Sequence, residues 1–314
     1  MNASIVKTAL ILIFTLLVIP VITFTMDESL TLLQRTTLQE LALLALGAAL
    51  LCFTVSELTG NCSQVDKLWS ILPIGYAWYT ASAGNFDNRL VLMAVLVTVW
   101  GARLTYNFSR RGAYKLKFWE GEEDYRWEIL RQNPALQGTW RWRMFNLFFI
   151  SLYQNALILA FTLPMVVVMR YPNEPIGALE LFLSAAFLFF VGVETMADQH
   201  QWNYQNEKHR RLREGIAPEG EFALGFVHRG LWQLVRHPNY LSEQLIWVFF
   251  YVFSIAASGH IINWSMAGCL LLLVLFQGSA DFSEGISAGK YPAYAAYKER
   301  AGRFLPKWKT LFNK

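Results

Sequence analysis

Six carboxylates stand at the edges of apolar stretches, where a buried charge is costly and calls for a cavity or a partner. Asp66 opens one stretch. Glu194 and Asp198 close another, four residues apart and so on one helical face. Glu243 opens a third, and Asp281 and Glu284 follow a fourth. Taken singly, each is explained as a helix end, because an acidic first turn complements the helix dipole; that covers Asp66 and Glu243. Taken together, they outline a polar ring at one end of a helical bundle, with a pocket opening there. Arg103, near the end of another apolar stretch, supplies a guanidinium for an anionic ligand or for one of these carboxylates, or else snorkels to the interface.

The stretch HRGLWQLVRHPNYLSE, residues 228–243, is the densest in chemistry. Gly230 and Pro238 interrupt helix. Proline suits a helix start, since its missing N–H has no partner there in any case. The free N–H groups of that helix end, beside Arg236 and His237, attract phosphate or carboxylate. Asn239, Tyr240 and Glu243 add directed hydrogen bonds. The plain alternative is a basic turn next to a membrane. Further on, Tyr291, Tyr294 and Tyr297 recur at helical spacing, which puts the rings on one side for packing or for stacking on a cofactor. Cys52, Cys62 and Cys269 lack ligand spacing, so neither a disulfide framework nor a zinc site is indicated.

The elements that position these residues are membrane helices. Of 314 residues, 54% are hydrophobic and only 16% charged, and the charge is gathered in blocks. A span needs roughly 20 mostly apolar residues. Windows at about 8–25, 39–56, 67–83, 89–106, 145–169, 176–196, 241–257 and 261–277 qualify. The expectation is an all-α polytopic bundle of about 7–8 spans forming a single membrane domain over 1–314, with 1–60 as leading helices and 60–308 as the main body. The first stretch lacks a clear small-x-small cleavage site and reads as a retained helix. Of 27 Lys and Arg, 21 fall in the loop 107–143, the loop 199–240 and the tail after 281. The positive-inside rule puts these blocks, and the C-terminus, in the cytoplasm. Basic loops of this kind explain the pI near 8.9 without nucleic acid. Phe118, Trp119, Tyr125, Trp127, Trp140 and Trp142 make the first loop aromatic too, which suits an interfacial segment against membrane lipid.

Several of these motifs resemble one family. Arg236-His237-Pro238-Asn239-Tyr240 before Glu243 is similar to the C-terminal region of the steroid 5-alpha-reductases, and the tail SEGISAGKYPAYAAYKERAGRFLP looks like that family's ending. NCSQVDKLWSILP and EDYRWEILR resemble its bacterial branch, long known as a domain of unknown function. The resemblance covers roughly 60–308 and implies NADPH-dependent reduction of a carbon–carbon double bond conjugated to a ketone. It implies cofactor contacts at Asn239 and Glu243, at Glu194 and Asp198 (Glu194 standing where the family has Asn), and at Arg103. It places an acidic ketone contact at Asp66. The family's tyrosine falls on Trp100, and its tail contacts fall near Ala280 and Glu284, with Tyr294 close by.

On that reading hydride goes to the β-carbon of an enone, and the protein polarises the carbonyl as enolate charge develops. A carboxyl donates a hydrogen bond only when protonated, and apolar burial favours that form. Trp100 has one N–H but relays no proton; Tyr76, Tyr79 or Tyr106 are the phenols that stand near. The substrate expected is a steroid-like lipophilic enone such as a 3-ketosteroid, in a bacterial inner membrane or an endoplasmic reticulum. Two other readings are an isoprenylcysteine-type methyltransferase using S-adenosylmethionine, which shares an Arg-His-Pro-x-Tyr run, and a non-enzymatic sterol or lipid binder.

Overall fold

The computed structural model describes residues 18–307, and every regular element among them is helical. Six helices are long and apolar enough to cross a bilayer: Leu32–Thr59, Asn88–Ser109, the composite Thr139–Val168, Ala178–Arg213, Pro238–Ser258 and Met266–Lys290. The polytopic helical bundle is therefore what this sequence forms. Two expected spans differ. The window 8–25 lies mostly outside the described residues, and its described end forms the helix Ile19–Met26. The window 67–83 is broken into Gln64–Leu68 and Leu72–Ala83, the second with proline in its first turn. Twelve residues rise about 18 Å, well short of a hydrocarbon core of about 30 Å.

Leu32–Thr59 shows why these helices belong to lipid. Thr31 caps it: its hydroxyl accepts from the Gln34 N–H at 3.2 Å, and the Gln34 side chain accepts from the Thr31 N–H at 3.0 Å. Gly60 ends it with φ 71°, a left-handed conformation that glycine tolerates. The buried face carries Gln34, Thr37, Leu41, Ala45, Ala49, Cys52 and Ser56, whereas Leu43, Leu44, Leu46, Leu50, Leu51 and Leu58 are exposed. Small and polar groups inward with leucine outward is the pattern of helices that pack closely while their apolar side meets acyl chains.

By internal contacts the chain forms two compact units. The described part of the amino-terminal unit is 18–184 with 250–271, and that of the carboxy-terminal unit is 185–249 with 272–307. Within the first, close helix packing depends on glycine. A Cβ at Gly101 would lie 2.5 Å from the Ser70 carbonyl, and one at Gly268 would lie 2.1 Å from the Ala160 carbonyl. The composite span is interrupted by a π-helical segment, Asn146–Tyr153, where Asn146 Nδ2 donates to Ser56 Oγ at 2.7 Å and to Glu57 Oε1 at 2.9 Å.

The aromatic loop of the amino-terminal unit is strapped to the segment 60–67. Lys67 Nζ donates to the carbonyls of Phe118 and Glu120 at 2.9 and 2.8 Å. Arg131 holds both oxygens of Glu123 at 2.5 and 2.7 Å and also reaches the Gly60 carbonyl. Trp119 and Trp140 are exposed, as a membrane belt requires, but Trp127 is buried.

Candidate functional site: a cationic, aromatic pocket and a buried aspartate

In the carboxy-terminal unit the chain after residue 290 folds back on the segment 232–240. The helix Tyr294–Arg300 presents Tyr294 and Tyr297, with ring centroids 5.1 and 5.2 Å from Phe226. The Tyr297 hydroxyl donates to the Trp232 carbonyl. Beyond this helix, Gly302 makes a parallel bridge with Val235. The Arg236 and His237 N–H groups then donate to the Gly302 and Arg303 carbonyls, at 2.8 and 3.2 Å. Pro238 starts the next helix, as its missing N–H allows.

Glu284 ties these strands of chain together. Its side chain is 2% exposed. Oε1 accepts from Arg236 Nε at 3.0 Å, His237 Nε2 at 3.2 Å and Arg303 Nε at 3.1 Å, and Oε2 lies 3.2 Å from Lys298 Nζ. Arg303 also pairs with Asp281 at 2.7 Å. Arg236 Nη1 donates to the Ala301 and Lys298 carbonyls.

These elements enclose a pocket of about 140 Å³ lined by Phe226, Val227, Trp232, Arg236, His237, Asn239, Tyr240, Ser283, Ser287, Tyr294 and Tyr297. Its wall contains three cations, Arg236, Lys298 and Arg303, against two carboxylates, Glu284 and Asp281. The surplus positive charge favours an anionic group. Arg236 has Nε and Nη1 engaged, and Nη2 is its uncommitted edge among the described residues. Asn239 is oriented by a bond from Nδ2 to Asp198 Oδ1 at 3.1 Å. Tyr240 stacks on His237 at 5.1 Å and 10°. Burial pushes the Tyr294 phenol up to about 12, so it stays a neutral donor. A phosphate beside Arg236 and a ring among the aromatics fit this chemistry. The volume takes part of a dinucleotide, being below the roughly 300–1,000 Å³ of whole-ligand clefts.

In the amino-terminal unit Asp66 sits in the first turn of Gln64–Leu68, where the helix dipole favours it. Trp127 Nε1 donates to its Oδ2 at 2.8 Å, and Arg126 Nη2 lies 3.5 Å from Oδ1. Arg126 is held mainly by Asp124, at 2.7 Å. The two acids share one cation and diverge. Burial pushes the Asp66 carboxyl above its ordinary value, more than Arg126 lowers it. Asp124 is also penalised by burial, but the charge and hydrogen bonds of Arg126 outweigh that and hold it below the usual range.

The sequence matches the family described as "Protein of unknown function (DUF1295)" over residues 52–301. The chain belongs to the DUF1295 family. An uncharacterized protein of Schizosaccharomyces pombe is 38% identical over 264 residues, which cover 81% of this chain and 75% of the relative. No solved structure matches. The DUF1295 region takes in Asp66, the segment 232–240 and Glu284, and ends at Ala301 within the folded-back tail.

Of the residues singled out in this DUF1295 chain, Arg236, His237, Asn239, Tyr240 and Tyr294 line one pocket. Asp198 positions Asn239 from outside it. Glu284 stands behind the wall as the acceptor of Arg236 and His237. Glu243 accepts from Trp247 Nε1 at 3.0 Å, one turn along its own helix, and Glu194 is buried one turn before Asp198. Trp100 and Tyr106 are not brought to the Asp66 carboxylate. Trp100 is fully buried, edge-on to Phe161, and Tyr106 is 67% exposed beneath Arg110. Arg103 lies half-buried on the same helix, Asn88–Ser109. The indole beside Asp66 is Trp127, hidden in sequence among the belt aromatics of its loop. Ser283 and Ser287 were legible as an i, i+4 pair flanking Glu284 on one helical face.

Proposed function

We propose that this DUF1295 chain is a membrane oxidoreductase that uses NADPH to reduce the enone double bond of a lipophilic ketone, the 4,5 double bond of a 3-ketosteroid being the best example. The observation that carries the reading is the pocket. Five residues assigned to cofactor by resemblance to the steroid 5-alpha-reductases line one cavity whose wall is cationic and aromatic. NADPH, when bound, supplies the hydride. The chain's own residues do the holding: Arg236 offers Nη2 to a phosphate, Asn239 is kept in one rotamer by Asp198, and Tyr240 and Tyr294 offer ring faces. Asp66 is the acid assigned to the carbonyl oxygen. Its burial favours the protonated form, which is the form able to donate. The basic loops assign the C-terminus to the cytoplasmic side of a bacterial inner membrane or of the endoplasmic reticulum.

The test is binding and turnover by purified protein in nanodiscs. NADPH should quench the fluorescence of Trp232, which lines the pocket. It should bind more tightly than NADH, and progesterone should be reduced. Asn239→Ala should weaken NADPH by about tenfold, the scale of one directed hydrogen bond. Tight S-adenosylmethionine binding without NADPH binding would transfer the chain to the methyltransferase reading.

A further inference from the structure

Two polar atoms in the amino-terminal unit are buried without a hydrogen-bond partner among the described residues, Tyr76 Oη and Asn155 Oδ1. Tyr76 is 3% exposed and Asn155 0%. They stand on helices that pack together, Leu72–Ala83 and Gln154–Ala160. The Cys52 thiol lies beside the Asn155 side chain and within electrostatic reach of Tyr76. Asn155 Nδ2 donates to the Ser151 carbonyl at 2.8 Å, one turn back, so the amide is oriented and its oxygen is the end left over. The π-helical segment ends at Tyr153, two residues before Asn155, and such breaks in a helix recur at functional sites.

One leftover donor and one leftover acceptor in an apolar interior call for a group that both accepts and donates, since buried polar groups are almost always paired. A single hydroxyl does both. The charge acting on Cys52 is that of a carboxylate, Asp66, which disfavours an anion. The surroundings are helices whose remaining contacts are apolar, which disfavours a hydrophilic solute. We propose that Tyr76 and Asn155 form a binding site for the hydroxyl of an uncharged lipophilic alcohol, with Tyr76 donating to its oxygen and Asn155 accepting its proton. The inference does not rest on the NADPH reading.

The experiment uses the full chain in nanodiscs without NADPH, in a Cys62→Ser/Cys269→Ser background, so that Cys52 is the reporting thiol. The probes are 5α-androstan-3β-ol, the matching 3-ketone and oxygen-free 5α-androstane. The alcohol should bind about tenfold more tightly than the hydrocarbon, the scale of the bonds gained, with the ketone between. At saturation it should slow alkylation of Cys52 by N-ethylmaleimide. Tyr76→Phe should erase the preference for the alcohol and leave the melting temperature unchanged, because that hydroxyl bonds to nothing in the protein. Equal binding of alcohol and hydrocarbon, an unaltered preference in Tyr76→Phe, or unprotected Cys52 at saturation would each overturn the site.

Discussion

Replacing Glu284 by Gln tests whether one buried acid holds the tail on the pocket. The change keeps shape and removes charge. Arg236, 8% exposed, then loses its only carboxylate while it stays buried. Breaking a buried pair on one side costs about 3–5 kcal/mol, because the partner charge is left uncompensated. At about 1.4 kcal/mol per tenfold, the lower bound raises the equilibrium for opening the tail roughly a hundredfold. Hydrogen exchange reads this directly, since the Arg236 and His237 amides donate to Gly302 and Arg303. Both should exchange about 100-fold faster in Glu284→Gln. Lys298→Met is the control. Lys298 is 41% exposed, and such a pair contributes about 0–1 kcal/mol, so its effect should stay below roughly fivefold. Protection unchanged in Glu284→Gln, or an equal loss in Lys298→Met, would refute the reasoning and leave Glu284 as one surface acid among several.

Asp66→Leu should lower turnover by about 100-fold or more, on the scale of one lost oxyanion donor, with Asp66→Asn between and NADPH affinity kept; full activity in the leucine variant would end its catalytic assignment. The acids beside Arg126 should tilt stability in opposite senses with pH. Asp66, raised in the folded state, loses stability as pH climbs from its ordinary 3.8 through its folded value, and Asp66→Asn should flatten that decline in melting temperature. Asp124, lowered in the folded state, contributes stability that is present above 3.8 and lost as pH falls through its folded value; Asp124→Asn should remove that acid limb. Cysteines at positions 120 and 215 in sealed vesicles should be labelled from the same, cytoplasmic side, and labelling from opposite sides would sink the orientation.

The spans were legible because hydropathy reports burial in lipid, and the turns within them were not. Residues 67–83 are apolar throughout, so nothing in a hydropathy window marks the break before Leu72. Pro73 was the available sign. The pocket wall was legible at 236–240 because arginine, histidine, asparagine and tyrosine crowd a helix start. Glu284 was harder to read. Its type fits a ligand contact as well as a clasp, and only the fold shows Arg236, Arg303 and Lys298 converging on it across long separations in sequence. Trp127 was masked by its neighbours, since one buried indole among six loop aromatics has no local signature. The tyrosines at 291, 294 and 297 read correctly as one packed face, and Phe226 is the residue they pack on.

The π-helical turn at Asn146–Tyr153 has a consequence for how lengths vary along this lineage. Such a turn holds one residue more than an α-helix needs for the same path. Deleting any one residue there would let the segment relax into regular helix without breaking it. Everything downstream would then rotate by about 100° about the helix axis, the angle of one residue at 3.6 per turn. Asn155, now fully buried, would swing toward another face, and a different side chain would take its place. A relative one residue shorter in this stretch would keep the same six spans yet present a different interior here, so a single-residue gap between 146 and 153 would be a change of function written as a change of length.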